Sequence, residues 1–155
     1  RRQRQMCIRD SLVEMINQTN GEFEEKFAEK GLKIISTIPT TGIIIKADGR
    51  HLWRVLENLY NNAFKYAAKN SRIYIDITSE NNIATFVIKN ISENPLNIKP
   101  DELTERFVRG DVSRTTEGSG LGLSIVKSLT ILQGGKFEII IDGDLFKVQI
   151  RFKAV

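Results

Sequence analysis

The chain has 155 residues, of which 41% are hydrophobic and 27% charged, with a formal net charge of +4. This is enough chain to bury one real core, and the balance is that of an ordinary globular domain. No apolar run approaches the roughly 20 residues of a membrane helix, the single Cys7 excludes an internal disulfide and suggests a reducing compartment, and a charge this small, part of it in Arg1-Arg2-Gln3-Arg4, does not point to nucleic acid.

Taken in order, residues 5–30 predict a helix, with Ile8, Leu12, Val13, Ile16, Phe23 and Phe27 at helical spacing and Gly31 to end it. The chain does not open on Met, and residues 1–10 read as the end of a helix belonging to a longer protein. Leu32–Ile38 predicts a strand stopped by Pro39, and Gly42–Lys46 a second, shorter one. A helix follows over about 51–68, with Asp48 as its candidate cap. Ile73, Ile75 and Ile77 then alternate with polar residues, turn near Asn81-Asn82, and return through Ala84, Phe86 and Ile88. Residues 91–120 look irregular. A last helix over 120–132, closed by Gly134-Gly135, leads to a hairpin from Phe137 through Asp142-Gly143 to Phe152. The expectation is an α/β fold, a two-layer sandwich of a mixed sheet of about five to six strands with three helices on one face.

Within the middle helix, Asn58, Asn62 and Lys65 fall in one narrow arc at about 100° per residue. Leu52, Val55, Leu56, Leu59, Ala63 and Ala67 form the neighbouring arc, the core stripe. Asparagine is a poor mid-helix residue because its amide competes for backbone groups, so two of them one turn apart suggest selection for something else. A neutral amide oxygen can hold Mg²⁺ beside a polyphosphate without adding repulsion, and a lysine can meet the phosphates. The alternative reading is a surface helix with a polar face.

The irregular stretch carries Arg106, Arg109 and Arg114 and ends in Gly118-Ser119-Gly120-Leu121-Gly122-Leu123, running straight into the last helix. Loops of that length in a compact domain are mostly lids or disordered. Glycines at a helix N-terminus let the backbone close on an anion, which the exposed amides and the helix dipole favour. Such a run is a weak signal alone and a stronger one beside the Asn/Asn/Lys row.

Three segments together carry a resemblance. Glu57-Asn58-Leu59-Tyr60-Asn61-Asn62-Ala63-Phe64-Lys65-Tyr66 resembles the N box of sensor histidine kinase catalytic domains, within the superfamily that includes gyrase, Hsp90 and MutL ATPases. Glu105-Arg106-Phe107-Val108-Arg109-Gly110-Asp111 resembles its F box, and the glycine run its G2 box. The resemblance spans nearly all of residues 1–155 and implies an ATP-binding catalytic domain with residues 91–119 as the ATP lid. It implies ATP and Mg²⁺ as ligands, with Asn62 the principal metal ligand and Asn58 a supporting contact. Lys65 would meet the phosphates, Tyr66 would pack near the base or ribose, Arg109 and Arg114 would approach the γ-phosphate, and Gly118, Gly120, Leu121 and Gly122 would hold the triphosphate through their backbone. His51 fits none of the family's phosphoacceptor surroundings and reads as structural. The implied acceptor is a histidine on an upstream dimerisation domain, and the implied later partner a response regulator. The whole protein would be a membrane-attached homodimer with this domain, monomeric by itself, in the cytoplasm.

One box departs from the pattern. Where the family has Asp-x-Gly-x-Gly, this chain has Asn90-Ile91-Ser92-Glu93-Asn94. Asn90 can still accept from an adenine amino group, but without charge and so more weakly. A nucleotide-binding pseudokinase or sensing module is therefore one alternative. An ATPase of the same superfamily is another, disfavoured because the position one turn before Asn62 is Asn58, which cannot take a proton from water.

Overall fold

The computed structural model describes residues 9–40, 42–94 and 119–154. Strand β1 (Arg9–Ser11) leads into helix α1 (Leu12–Ala28), followed by β2 (Lys33–Thr37), β3 (Ile44–Lys46) and helix α2 (Gly49–Tyr66). The hairpin β4 (Arg72–Glu80) and β5 (Ile83–Ile91) comes next, then helix α3 (Ser119–Leu132) and the hairpin β6 (Lys136–Asp142) and β7 (Leu145–Lys153). Five strands form one mixed sheet in the order β2-β4-β5-β7-β6, in which only β2 and β4 are parallel; β1 and β3 form a separate antiparallel pair. The expected two-layer α/β sandwich with three helices is what forms. The first helix is shorter than expected, because Arg9–Ser11 pairs with Ile44–Lys46 instead of continuing it. Its start was legible in Ser11-Leu12-Val13-Glu14, where the Ser11 side chain accepts from the Glu14 amide.

Period-2 alternation places the core. Ile73, Ile75 and Ile77 of β4, Ala84, Phe86 and Ile88 of β5, and Phe146, Val148, Ile150 and Phe152 of β7 are all buried on one face. Against them lie Leu52, Val55, Leu56, Leu59 and Ala63 of α2, with Ala67 just past its end. Phe23 and Phe27 of α1 stack with Tyr60 and Phe64 of α2 at centroid distances of 5.2–6.1 Å, closing the gap between those helices. Burial pushes the Tyr60 phenol up, and its hydroxyl donates to the Asn20 amide oxygen.

The turns match their chemistry. Asn81 and Asn82 both take left-handed φ, 53° and 62°, as a two-residue hairpin of right-handed twist requires. The opposite face of the sheet is open and carries three like-charged pairs directly across strands: Lys33 with Arg72, Lys89 with Lys147, and Lys136 with Arg151. None of the six makes an ion pair among the described residues.

Asp48 caps α2, its carboxylate accepting from the Arg50 amide at 2.9 Å. Burial works to raise its pKa, but the amides of Arg50 and His51 and the charges of His51 and Arg50 outweigh it and hold the carboxyl below its ordinary range. A depressed folded value means that the cap's contribution is present above the unfolded value of about 3.9 and is lost as pH falls through the folded one. Asp48→Ala should cost about 1 kcal/mol in urea unfolding at pH 7. That difference should shrink below pH 4, and an unchanged difference at pH 2.5 would show that the carboxylate is not what caps the helix.

Candidate functional site

Helix α2 is fixed at both ends and in the middle. At its C-terminal end, the Lys30 ammonium donates to the carbonyls of Phe64 and Lys65, where a cation meets the negative end of the helix dipole. Burial pulls this ammonium below the ordinary lysine range, with Glu93 working against the shift and Lys69 with it. The same end is stitched to β5: Ala68 N donates to Ile91 O at 2.8 Å, Glu93 N to Tyr66 O at 2.9 Å, and Ala67 bridges Ser92. The shoulder of α2 carrying Asn58, Asn62 and Lys65 is thereby held beside the end of β5, two residues from Asn90.

In the middle, α2 meets the first turn of α3. A Cβ added at Gly122 would lie 3.3 Å from Asn58 Oδ1 and 3.8 Å from its Cβ. The hydrogen-only side chain therefore lets the two helices close on each other where the glycine run enters α3. Asn58 itself is half-buried, and its Nδ2 donates to Arg54 O at 2.8 Å, leaving its oxygen toward Gly122.

Asn62 is the more telling residue. It is 8% exposed, and its Oδ1 is buried with no hydrogen-bond partner among the described residues. An unmet buried acceptor costs about 1–3 kcal/mol, so a neutral oxygen held this way fits a divalent cation by donor type and by need. Asn90 makes the complementary case. Its register opposite Ile73 and Phe146 turns it to the core face, it is 3% exposed, and its Nδ2 is buried without a partner among the described residues. Lys65 Nζ stands 5.9 Å from the centroid of the half-buried Tyr66 ring. The backbone of Gly120, Leu121 and Gly122 forms the opening turn of α3.

The sequence-predicted set thus divides. Asn58 and Gly122 are brought into contact, while Asn62, Lys65 and Tyr66 share the adjoining part of α2 with β5 and Asn90 at its end. Arg109, Arg114 and Gly118, the segment Glu105–Asp111 and most of the expected lid lie outside the described residues. His51 is half-exposed with Nδ1 3.9 Å from Asp48 Oδ2, a place in the cap and not in the site. Lys30 and Gln133, which hold the ends of α2, were not legible, since a lone Lys or Gln carries no pattern.

A family model described as "Histidine kinase-, DNA gyrase B-, and HSP90-like ATPase" matches residues 47–154, which covers the whole arrangement from the Asp48 cap to β7. The chain belongs to that family. Among named relatives it is 41% identical over 92 residues to sensor histidine kinase HprS of Escherichia coli (strain K12), covering 59% of this chain and 20% of that protein. It is 28% identical over 152 residues to sensor histidine kinase RppB of Synechocystis, covering 93% of this chain and 32% of that one. The chain spans between 16% and 32% of the length of the first such relatives. Among solved structures, the catalytic domain of histidine kinase ThkA superposes with a TM-score of 0.79 over 94% of this chain and 93% of that one, at 24% identity. The mycobacterial sensor histidine kinase MprB gives 0.77 over 96% and 97%, at 21% identity. The domain therefore has the fold of those histidine kinase catalytic domains, within the ATPase family that its sequence matches. Among the described residues, no helix is long and apolar enough to cross a membrane.

The close approach at Gly122 gives a direct test. In Gly122→Ala, the gain in helix propensity of about 1 kcal/mol should offset the tighter contact, leaving the unfolding free energy nearly unchanged. Nucleotide affinity should nevertheless fall several-fold, because the methyl group displaces the Asn58 oxygen. Calorimetric titration with ATP that shows parental affinity would mean that the contact is packing alone.

Proposed function

We propose that this domain binds ATP with Mg²⁺ between α2, α3 and the end of β5 and transfers the γ-phosphate to a histidine supplied by a dimerisation domain of the same protein. The single observation that carries the reading is the unmet, buried Oδ1 of Asn62 beside the Asn58–Gly122 contact. In this reading Asn62 holds the metal ion with Asn58 in support, and the ion supplies charge neutralisation of the polyphosphate. The chain's own residues do the positioning. Lys65 meets phosphate oxygens, the amides of Gly120, Leu121 and Gly122 donate to the triphosphate at the positive end of α3, and Tyr66 packs beside the base or ribose. Arg109, Arg114 and Gly118 are proposed to complete the cradle from the lid side.

The chemistry asks little more of the domain. An incoming imidazole nitrogen bonds to the γ-phosphorus as the bond to the β,γ-bridging oxygen breaks, and ADP leaves with that electron pair; the transition state is loose and needs alignment and charge. Hydrolysis instead would need a base for water. The residue one turn before Asn62 is Asn58, whose amide donates to Arg54 O and has no proton-accepting capacity to spare. Glu57 points about 100° away around the helix. Transfer to a presented histidine, and onward to a response regulator, is thus the better match. The whole protein in this reading is a homodimer held at the membrane, with this domain on the cytoplasmic side.

The Asn62 assignment separates function from stability. Asn62→Leu removes a buried acceptor that has no partner and replaces it with an apolar group of similar size, so the thermal midpoint should hold or rise. Mg²⁺-dependent ATP binding should disappear. A variant that folds and still binds Mg·ATP as the parent does would remove the metal role.

Asn90 is proposed as the base-reading residue, offering a neutral acceptor where a charged one would bind an amino group more strongly. Hydrogen bonds to an ionised partner contribute about 1.5–3 kcal/mol against about 0.5–1.5 for neutral ones. Asn90→Asp also deletes the unmet Nδ2 donor. It should tighten ATP binding several-fold while leaving the inosine nucleotide, which lacks the 6-amino group, unimproved. Equal gains for both nucleotides, or weaker ATP binding, would withdraw the assignment.

A further inference from the structure

The two helices that build the site run antiparallel, and something must set how far one slides along the other. Their contact is largely apolar, with Leu52, Val55, Leu56 and Leu59 of α2 and Leu123 and Val126 of α3 buried in one core. Apolar ridges of this kind repeat every turn, so packing alone discriminates weakly between registers one turn apart. A directional hydrogen bond discriminates strongly, because it is either made or lost.

Such a bond exists at the far end of the pair from the proposed triphosphate site. Gln133, the residue just past α3, accepts from the backbone amide of Asp48 through its Oε1 at 2.7 Å. Its Nε2 donates to Leu129 O at 3.2 Å, so both ends of the amide are engaged and its orientation is fixed. Its backbone is held as well. Gln133 N donates to Leu129 O and Thr130 O, and Gly135 N to Thr130 O at 2.9 Å. Gly134 takes a left-handed φ of 81° to make the turn, and a Cβ on Gly135 would come within 2.7 Å of Arg151 O and 2.8 Å of the Phe152 ring. The turn after Gln133 is thus seated on β7, and the side chain reaches Asp48 from a rigid base.

The spacing links this clasp to the site. From Asp48 to Asn58 is ten residues of α2, about 15 Å of rise, and from Gln133 back to Gly122 is eleven residues of α3, about 16 Å. The Gln133–Asp48 bond and the Asn58–Gly122 contact are therefore two rungs of one antiparallel register. Four residues further along α2 from Asn58 lies Asn62, level with the opening residues of α3.

We propose that Gln133 is a positioning residue for the nucleotide site: its clasp on the α2 cap sets the register that brings Gly122 against Asn58 and the N-terminus of α3 level with Asn62. The claim rests on the function proposed above for what the register serves, and not for the register itself. Two variants separate the two. Gln133→Met keeps length and bulk but removes the amide. Ile140→Ala, on the open face of β6, is a control that lowers stability without touching α2 or α3. In the nucleotide-free domain, Gln133→Met should speed amide exchange at Asp48 and remove the nuclear Overhauser contact between the Asn58 side chain and Gly122, while Ile140→Ala keeps both. Well below the unfolding temperature, Mg·ATP affinity should fall three- to tenfold in Gln133→Met and stay at the parental value in Ile140→Ala. Retention of the Asn58–Gly122 contact in Gln133→Met would overturn the proposal, as would parental ATP affinity, or an equal loss in both variants. Failure of the parent domain itself to bind Mg·ATP would sink the functional reading instead, and the register claim would then stand or fall on the Asn58–Gly122 contact.

Discussion

Burial of one stripe of α2 is the constraint on which the other arrangements depend. Leu52, Val55, Leu56, Leu59 and Ala63 must face the isoleucine rows of the sheet, and Ala67 must follow them under the end of β5. Once that face is committed, the rotation of α2 is fixed, and Asn58, Asn62 and Lys65 stand on the shoulder next to it with no freedom to turn away. The core thus aims the polar groups. The aromatic stack from Phe23 to Phe64 then prevents α1 from drifting off the other flank of the same helix.

The site is where stability has been conceded. Among the described residues, three buried side-chain polar atoms lack a partner, and two of them belong to Asn62 and Asn90. In a domain whose remaining described core is almost wholly aliphatic and aromatic, unmet amides at those positions are local costs with no structural return, and they fall on the side chains proposed above to meet metal and base. The third, Thr130 Oγ1, lies further along α3 and has no assignment.

Much of this could be read from the sequence because the signals were periodic or local. The 3.6-residue stripe of α2, the alternation of Ile73, Ile75 and Ile77, and the Asp48 cap each depend on neighbours a few residues away, and each was found in place. What escaped depends on pairings distant in sequence. Arg9–Ser11 became a strand only because Ile44–Lys46 lies beside it. The parallel pairing of β2 with β4 leaves no mark on either strand. Lys30 and Gln133 act across 34 and 85 residues of chain, and nothing adjacent to either announces its partner. Within the site, Asn58, Asn62, Lys65, Tyr66 and Gly122 could be picked out because they share one helix face or one glycine run. Gly122's closeness to Asn58 needed the folded geometry.

The open face of the sheet has a colloidal consequence. Lys33 with Arg72, Lys89 with Lys147, and Lys136 with Arg151 put cations side by side across strands, and among the described residues none of the six is in an ion pair. Like charges directly opposite one another loosen a sheet slightly. The same charges make two such faces repel when two copies approach, which protects a bare sheet surface from stacking on itself. Both effects are carried through solvent, whose screening length is about 8 Å at physiological ionic strength. Dissolved salt therefore acts on this layer in two opposed ways: it tightens the strands within one molecule while lowering the barrier that keeps two molecules apart.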